Sequence, residues 1–246
     1  MSYYKNGDIM RTLLYLSLLP VVVIAIFIYK KDKNKEPGGL LVKLFLEGIG
    51  AAFIAMALES IWGAIQANIF PNAEDAGLPL IVKVFIGIAL MEEFSKWIMA
   101  YFGSYNHKEF DEVYDIIIYS VFVSLGFAGF ENILYVFTGG VMTGIVRAVL
   151  AVPGHAFFGI MMGYYLGKAK YEELHLNYAA KTKNVILSIV VPTIFHGIYD
   201  YCLMSKQNIL LLVFLAFVIF MYRKAFKTVN KISQENKALI GDISLK

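Results

Sequence analysis

One cysteine, Cys202, in 246 residues leaves no intrachain disulfide to form and no Cys/His cluster to hold a structural metal. Charge is scarce as well: 17% of the residues are Asp, Glu, Lys or Arg, where a soluble domain carries about 25%. The net charge of +3 is too small for a nucleic-acid binder. There is no H-E-x-x-H zinc-protease motif, no low-complexity tract and no internal repeat of the kind that pairs the halves of many transporters. What is abundant is apolar surface, at 59% hydrophobic residues and a mean hydropathy of +0.63. A disordered, collagen-like or disulfide-stapled chain is excluded, and a membrane-embedded one becomes the default.

A hydrocarbon core of ~30 Å takes about 20 residues per helix. Runs of suitable length lie at 11–29, 40–69, 80–102, 113–137, 141–166, 185–204 and 209–222. None alternates with a period of two, so the fold class is all-α: a single polytopic domain of about seven helices, with catalytic helices at about 80–204 and a C-terminal tail from about 223. The last run is short and continues as an amphipathic stretch through Ala225 and Val229. No helix is obviously broken. The first run reads as a retained span, because its basic cluster follows the apolar stretch.

Basic residues mark the orientation. The odd-numbered connectors and the tail carry fifteen, among them Lys30, Lys31, Lys33, Lys35, Lys237 and Lys246, while the opposite side has only Lys5, Arg11 and Lys206. That opposite side also holds an acidic connector at 70–79 with Glu74 and Asp75. The positive-inside rule then puts the N-terminus outside and the C-terminus in the cytoplasm.

Several polar residues lie where lipid would surround them. Glu92, Glu93 and Lys96 fall in the third span, Glu131 and Asn132 in the fourth, Arg147 and His155 in the fifth, and His196 and Asp200 in the sixth. Six of these are normally charged, and at about 3 kcal/mol each they would cost roughly 18 kcal/mol facing lipid, so they face inward and pair. The spacings agree: Glu92 and Lys96 are four apart, Glu93 and Lys96 three, His196 and Asp200 four, each pair on one helix face. His155 shares a stripe with Gly159, Gly163 and Gly167, a small-residue series that admits a close neighbour.

Simpler roles account for other polar positions. Lys43, Glu47 and Lys83 sit near span ends and snorkel, and His107 and His175 are solvated in connectors. Glu59 reads as a helix-packing hydrogen bond, or else as support for a site. Arg147 reads as the neutraliser of Glu131 or another carboxylate. The remaining constellation has the parts needed to activate water: carboxylates for a general base, histidines that bind a Lewis-acid metal or donate to an oxyanion, and Asp200 to orient His196. Lys96 would hold the glutamate pair in a defined charge state.

The residues resemble the PrsW family of intramembrane proteases, within the wider superfamily of CAAX-processing and bacteriocin-processing membrane proteases. The matching elements are Glu92-Glu93-Phe94-Ser95-Lys96 as E-E-x-x-K, Phe127 to Glu131-Asn132 as F-x-x-x-E-N, Gly154-His155, and His196 to Asp200 as H-x-x-x-D. These fall in order on four successive spans. Glu131 stands where the wider superfamily usually has a histidine, as in similar PrsW proteins. The resemblance implies a bacterial plasma-membrane protease, usually described as metal-dependent, that cleaves a single-span membrane protein such as an anti-sigma factor on its outer side. It implies catalytic roles for Glu92, Glu93, His155, His196, Lys96 and Asn132. His155, His196, Glu131 and Asp200 would be the ligands of a metal, zinc being the ion in view. Lipid is the surrounding partner.

The rival reading is a proton-coupled transporter or channel that uses the buried Glu, His and Asp as a relay. Straight helices would also leave the site uneven. At ~1.5 Å per residue, Glu92 lies roughly 18 Å below the outer end of its span, Glu131 about 9 Å, His196 about 12 Å and His155 about 21 Å. Tilt or bending has to bring them level, with the cavity expected to open outward.

Overall fold

A computed structural model describes residues 2–71, 76–235 and 239. Glu74, Asp75, Lys237 and Lys246 lie outside the described residues. The expected all-α class holds, with no β-strand among the described residues. The elements are α1 (Ser2–Lys31), α2 (Gly38–Ile69), α3 (Gly77–Val82), α4 (Met91–Ser104), α5 (Asp115–Val149), α6 (Ala151–Leu174), α7 (Tyr178–Met204) and α8 (Asn208–Glu235). Five stretches are long and apolar enough to cross a membrane: Gly7–Lys31, Gly38–Ile69, Asp115–Leu174, Tyr178–Met204 and Asn208–Glu235. Large apolar side chains face outward along them, as with Val23, Phe53 and Leu212, which are each more than half exposed. Water would not tolerate that much outward apolar surface, and the chain is a multi-pass membrane protein.

Two of the helical runs are irregular, contrary to the expectation of unbroken helices. The expected third span is continuous from α3 to α4, but its middle, Lys83–Leu90, winds as a π-helix just before Glu92. The wide turn is packed on both sides by large side chains set against glycine. Trp62 lies where a Cβ on Gly87 would be, and Phe85 where one on Gly197 would be. The 60-residue stretch from α5 to α6 is also not one rod. Gly140, at φ 79°, leaves the helical region and reverses the chain, a conformation open to glycine without strain. Residues 141–149 then return along α5, and a one-residue irregularity at Leu150 (φ −111°, ψ −60°), still in the right-handed region, separates α5 from α6.

The core is built on the first half of α5, which is buried without interruption from Asp115 to Val121 and from Val123 to Gly129. Glycine lets its neighbours approach. On α6, a Cβ on Gly159 would lie 2.6 Å from Ser124 Oγ, and one on Gly163 2.6 Å from Ile117 Cα, so the expected glycine stripe is the seam between these helices. A second crossing was not anticipated: on α2 and α5, Gly48 meets the carbonyl of Val123 and Gly126 the carbonyl of Phe45. As expected, the last helix runs beyond its apolar part, burying Met221, Val229 and Ile232.

Candidate active site

Glu92 and Glu93 are neighbours and so point about 100° apart around α4. The position that reaches both is one turn further on, and Lys96 occupies it. Its Nζ donates to Glu92 Oε2 at 3.1 Å and to Glu93 Oε1 at 2.8 Å. The third hydrogen goes to His155 Nδ1 at 3.1 Å, and the face of Phe127 lies 4.0 Å from the same nitrogen. Lys96 is fully buried, a placement that would be costly for a lone ammonium and is offset here by two carboxylates.

This contact assigns the tautomer of His155. An ammonium cannot accept a hydrogen bond, so Nδ1 accepts, and Nε2 carries the hydrogen that goes to Glu131 Oε2 at 2.9 Å. The same Glu131 oxygen receives Arg147 Nη2 at 2.8 Å, which is the neutralising role read from the sequence. Arg147 and His155 are eight residues apart, about 12 Å along a straight helix, yet meet at one oxygen across the Leu150 irregularity. His196 lies between two carboxylates, with Nδ1 3.0 Å from Glu93 Oε1 and Nε2 3.3 Å from Asp200 Oδ2. Both positions are filled when both ring nitrogens carry hydrogen. Phe158, one turn after His155, stacks on the His196 ring at 4.7 Å, and the two histidine rings lie edge to face at 5.5 Å.

Glu92, Glu93, Lys96, Glu131, His155, His196 and Asp200 thus form one connected network on four helices, level with one another as the depth argument required. Asn132, expected among the catalytic groups, contacts Arg147 and α1 rather than a carboxylate or imidazole of the network. Its Oδ1 accepts from Arg147 Nε at 2.8 Å and its Nδ2 donates to Ser17 O on α1 at 2.8 Å.

A cleft of about 350 Å³ opens between α2 and α5. Glu92 and Glu131 line it, with Ala52 and Phe127 among the apolar walls, and it continues to Thr138 near the Gly140 reversal. Glu59, read from the sequence chiefly as a packing residue, lines this cleft too. A single sequence places Glu59 on no motif, so only the depth of an acidic residue within an apolar run marked it. Glu92 joins the buried network to the cleft, while Glu93 is sealed at 0% exposure.

Metal-ligand geometry falls differently from the expected set. His155 with Glu131 and His196 with Asp200 are separate pairs, whereas Glu92, Glu93 and His155 each offer one ligand atom within 4.8 Å of the others. Glu93 Oε2 is buried without a hydrogen-bond partner, a further acceptor at the same place. Two carboxylates and an imidazole suit a divalent metal with an open position for water. The residues fit such an ion, with Lys96 meeting the same three ligand residues and competing for them.

An all-helical membrane bundle with an acid and imidazole centre at the foot of a cleft defines an integral-membrane protein equipped for hydrolysis. The model of the PrsW family of intramembrane metalloproteases matches residues 36–223, and the chain belongs to that family. It is 38% identical to Protease PrsW of Oceanobacillus iheyensis over 87% of this chain and 95% of that one. Identity to Protease PrsW of Geobacillus kaustophilus is 39% over 81% and 83%, and to that of Clostridioides difficile 30% over 95% and 97%. No solved structure matches. The chain is an intramembrane protease, and the transporter reading is not favoured.

Proposed function

We propose that this protease cleaves a single-span protein of the bacterial plasma membrane, an anti-sigma factor being the kind of client in view, in its outer membrane-proximal segment. The observation that carries the reading is the position of Glu92: hydrogen-bonded to Lys96 in the buried network and also lining the cleft. An extended client segment enters between α2 and α5, where the walls are apolar apart from the carboxylates. Glu92 takes a proton from water as the oxygen attacks the scissile carbonyl carbon. The C–N bond then breaks, and the same proton goes to the leaving nitrogen. Glu93 holds Lys96 and His196 in place, and Asp200 orients His196 from the other side. Lys96 Nζ at 3.1 Å and His196 Nδ1 at 4.0 Å are donors close to Glu92 Oε2, and a developing oxyanion there would draw on them in exchange for their present bonds to the carboxylates. A metal, zinc in the reading from the sequence, would be held by Glu92, Glu93 and His155 and would supply Lewis-acid polarisation.

Seven crossings follow if 77–104 counts as one span and Gly140 separates two more. The lysine-rich ends of α1 and α6 then face the cytoplasm, and the cleft, which reaches Thr138 beside Gly140, opens to the outside. Co-expression with single-span anti-sigma-like proteins, followed by blotting for a shortened product, tests the reading. Cleavage that depends on Glu92 supports it, and a Glu92→Gln variant that inserts and cleaves normally overturns it.

A further inference from the structure

A second pocket, of about 390 Å³, opens at the lysine-rich end of α8, between that helix, α6 and the residues leading into α5. It shares no lining residue with the catalytic cleft. Met161 and Ile232, both buried, give it apolar walls, while its polar lining comes chiefly from Tyr164 and Tyr165 of α6 and Lys224, Lys227 and Lys231 of α8. The three lysines are spaced by three and four residues, so one face of α8 carries them all. Lys224 and Lys227 are exposed and form no ion pair among the described residues. Lys231 has Glu235 at 3.8 Å, the one carboxylate of the lining. Lys168 adds a fourth cation beside Tyr164, with its Nζ 5.5 Å from the ring.

From Asn208 at the start of α8, a rise of ~1.5 Å per residue puts Lys224 about 24 Å along the helix and Lys231 about 34 Å. A hydrocarbon core of ~30 Å ends between them, at the level where lipid phosphates begin. One turn before Lys224 the same face is apolar, with Phe220 51% exposed. A molecule that meets both regions is an amphiphile. Its head has to be anionic, since a zwitterionic headgroup brings a cation of its own to the lysines.

We propose that this pocket binds one anionic phospholipid of the cytoplasmic leaflet. Lys224, Lys227 and Lys231 hold the phosphate, the Tyr164 and Tyr165 hydroxyls meet the rest of the headgroup, and the acyl chains lie along the apolar surface that precedes Lys224. Lysines scattered over a cytoplasmic face feel the charge of the leaflet as a whole. Three on one helix face, set in a pocket with two phenols, take a single molecule. Bound there, the lipid bridges α8 and α6, the helix that carries His155.

The test uses the full chain in neutral detergent micelles, titrated with phosphatidylglycerol or with phosphatidylcholine of the same chains. Bound lipid is counted by native mass spectrometry and Tm is read by thermal unfolding. The expected result is one saturable phosphatidylglycerol per chain that raises Tm, with phosphatidylcholine at least tenfold weaker. Combining Lys224→Gln, Lys227→Gln and Lys231→Gln should weaken phosphatidylglycerol at least tenfold. Combining Lys30→Gln, Lys108→Gln and Lys183→Gln removes the same charge from exposed positions outside the pocket and should leave affinity within twofold of the wild type. Equal loss in the two triple variants would reduce the effect to general surface charge and overturn the site, as would unchanged affinity in the first or equal uptake of the two lipids. Inorganic phosphate that displaces the lipid at equal concentration would overturn the lipid as occupant. Should the first triple variant fail to fold, Lys227→Gln alone is expected to weaken binding at least threefold, and unchanged affinity there overturns the site as well.

Discussion

Lys96 Nζ lies 3.1 Å from His155 Nδ1, across 59 positions of sequence, and this one contact joins the E-E-x-x-K helix to the glycine-striped helix. The ammonium makes all three of its hydrogen bonds inside the site. Glu92 and Glu93 on either side of it therefore have different work. Glu92 reaches the cleft, and Glu93 Oε1 is shared between Lys96 and His196.

The first prediction follows from that division. Glu92→Gln removes the base and should lower cleavage by about 10² to 10⁴-fold with insertion intact. Glu93→Gln should lower cleavage too, with weakened holding of His196. Cleavage is read by blotting of a membrane client, and insertion by protease protection. Full activity in both variants removes the pair from the mechanism.

Replacing Lys96 with a neutral side chain of similar length separates its charge from its bulk. Lys96→Met leaves Glu92 and Glu93 side by side without the cation between them, so cleavage should fall at least 10²-fold. Because the ammonium and a metal compete for the same ligands, the variant should also retain more zinc per chain after dialysis, measured by elemental analysis. Equal metal content in the two proteins would refute the competition and leave the loss of cleavage to be judged separately.

Much of this site was legible before any coordinates. Charged residues in apolar runs have to pair, and i,i+3 and i,i+4 spacings say which can, so the links of Lys96 to both glutamates and of His196 to Asp200 follow from sequence. The glycine stripe through His155 likewise marked a close seam. The π-helical turn before Glu92 and the irregularity at Leu150 were not legible, because apolar periodicity reports which face is buried and not whether a bond closes to the fourth or fifth residue. The direction in which the Asn132 amide turns was not legible either, because its motif says only where it sits along the chain.

Arg147 and Glu131 give a stability test. Their side chains are 15% and 20% exposed and 2.8 Å apart, so removing only one partner leaves a mostly buried charge. Arg147→Gln should destabilise by about 3 kcal/mol. Glu131→Gln with Arg147→Gln should cost less than the sum of the single changes, as unfolding of the three variants in detergent would reveal. Strict additivity would mean that the pair is not coupled.

The crossing of α2 and α5 makes a steric prediction. Any side chain on Gly126 meets the carbonyl of Phe45, which is backbone and cannot rotate away. Gly126→Ala should therefore push the helices apart, lowering Tm by several degrees and cleavage at least tenfold, since the cleft between them is the proposed client path. Gly63→Ala on the same α2, with nothing within 4 Å of the added carbon, should leave both unchanged. Equal tolerance at the two positions would contradict the close approach.

The outward opening of the cleft can be tested without knowing the client. Leu134 lines the cleft and is 43% exposed, whereas Ser124 lies deeper along α5 and is 0% exposed against Gly159. Thiol reagents need water to react, so a cysteine reports wetness as well as access. In a Cys202→Ala background, which removes a buried thiol of the native chain, Leu134→Cys should label with an impermeant reagent added from outside, and Ser124→Cys should not. Val22, 50% exposed on α1 away from the cleft, controls for exposure to lipid alone, and Val22→Cys should stay unlabelled. If Leu134→Cys reacts only from the cytoplasmic side and the client is cut on its inner flank, both the orientation drawn from the lysines and the outward cleft fail together. If it reacts from outside while Val22→Cys does not, water reaches the wall that Glu92 shares with the membrane, as hydrolysis at that position requires.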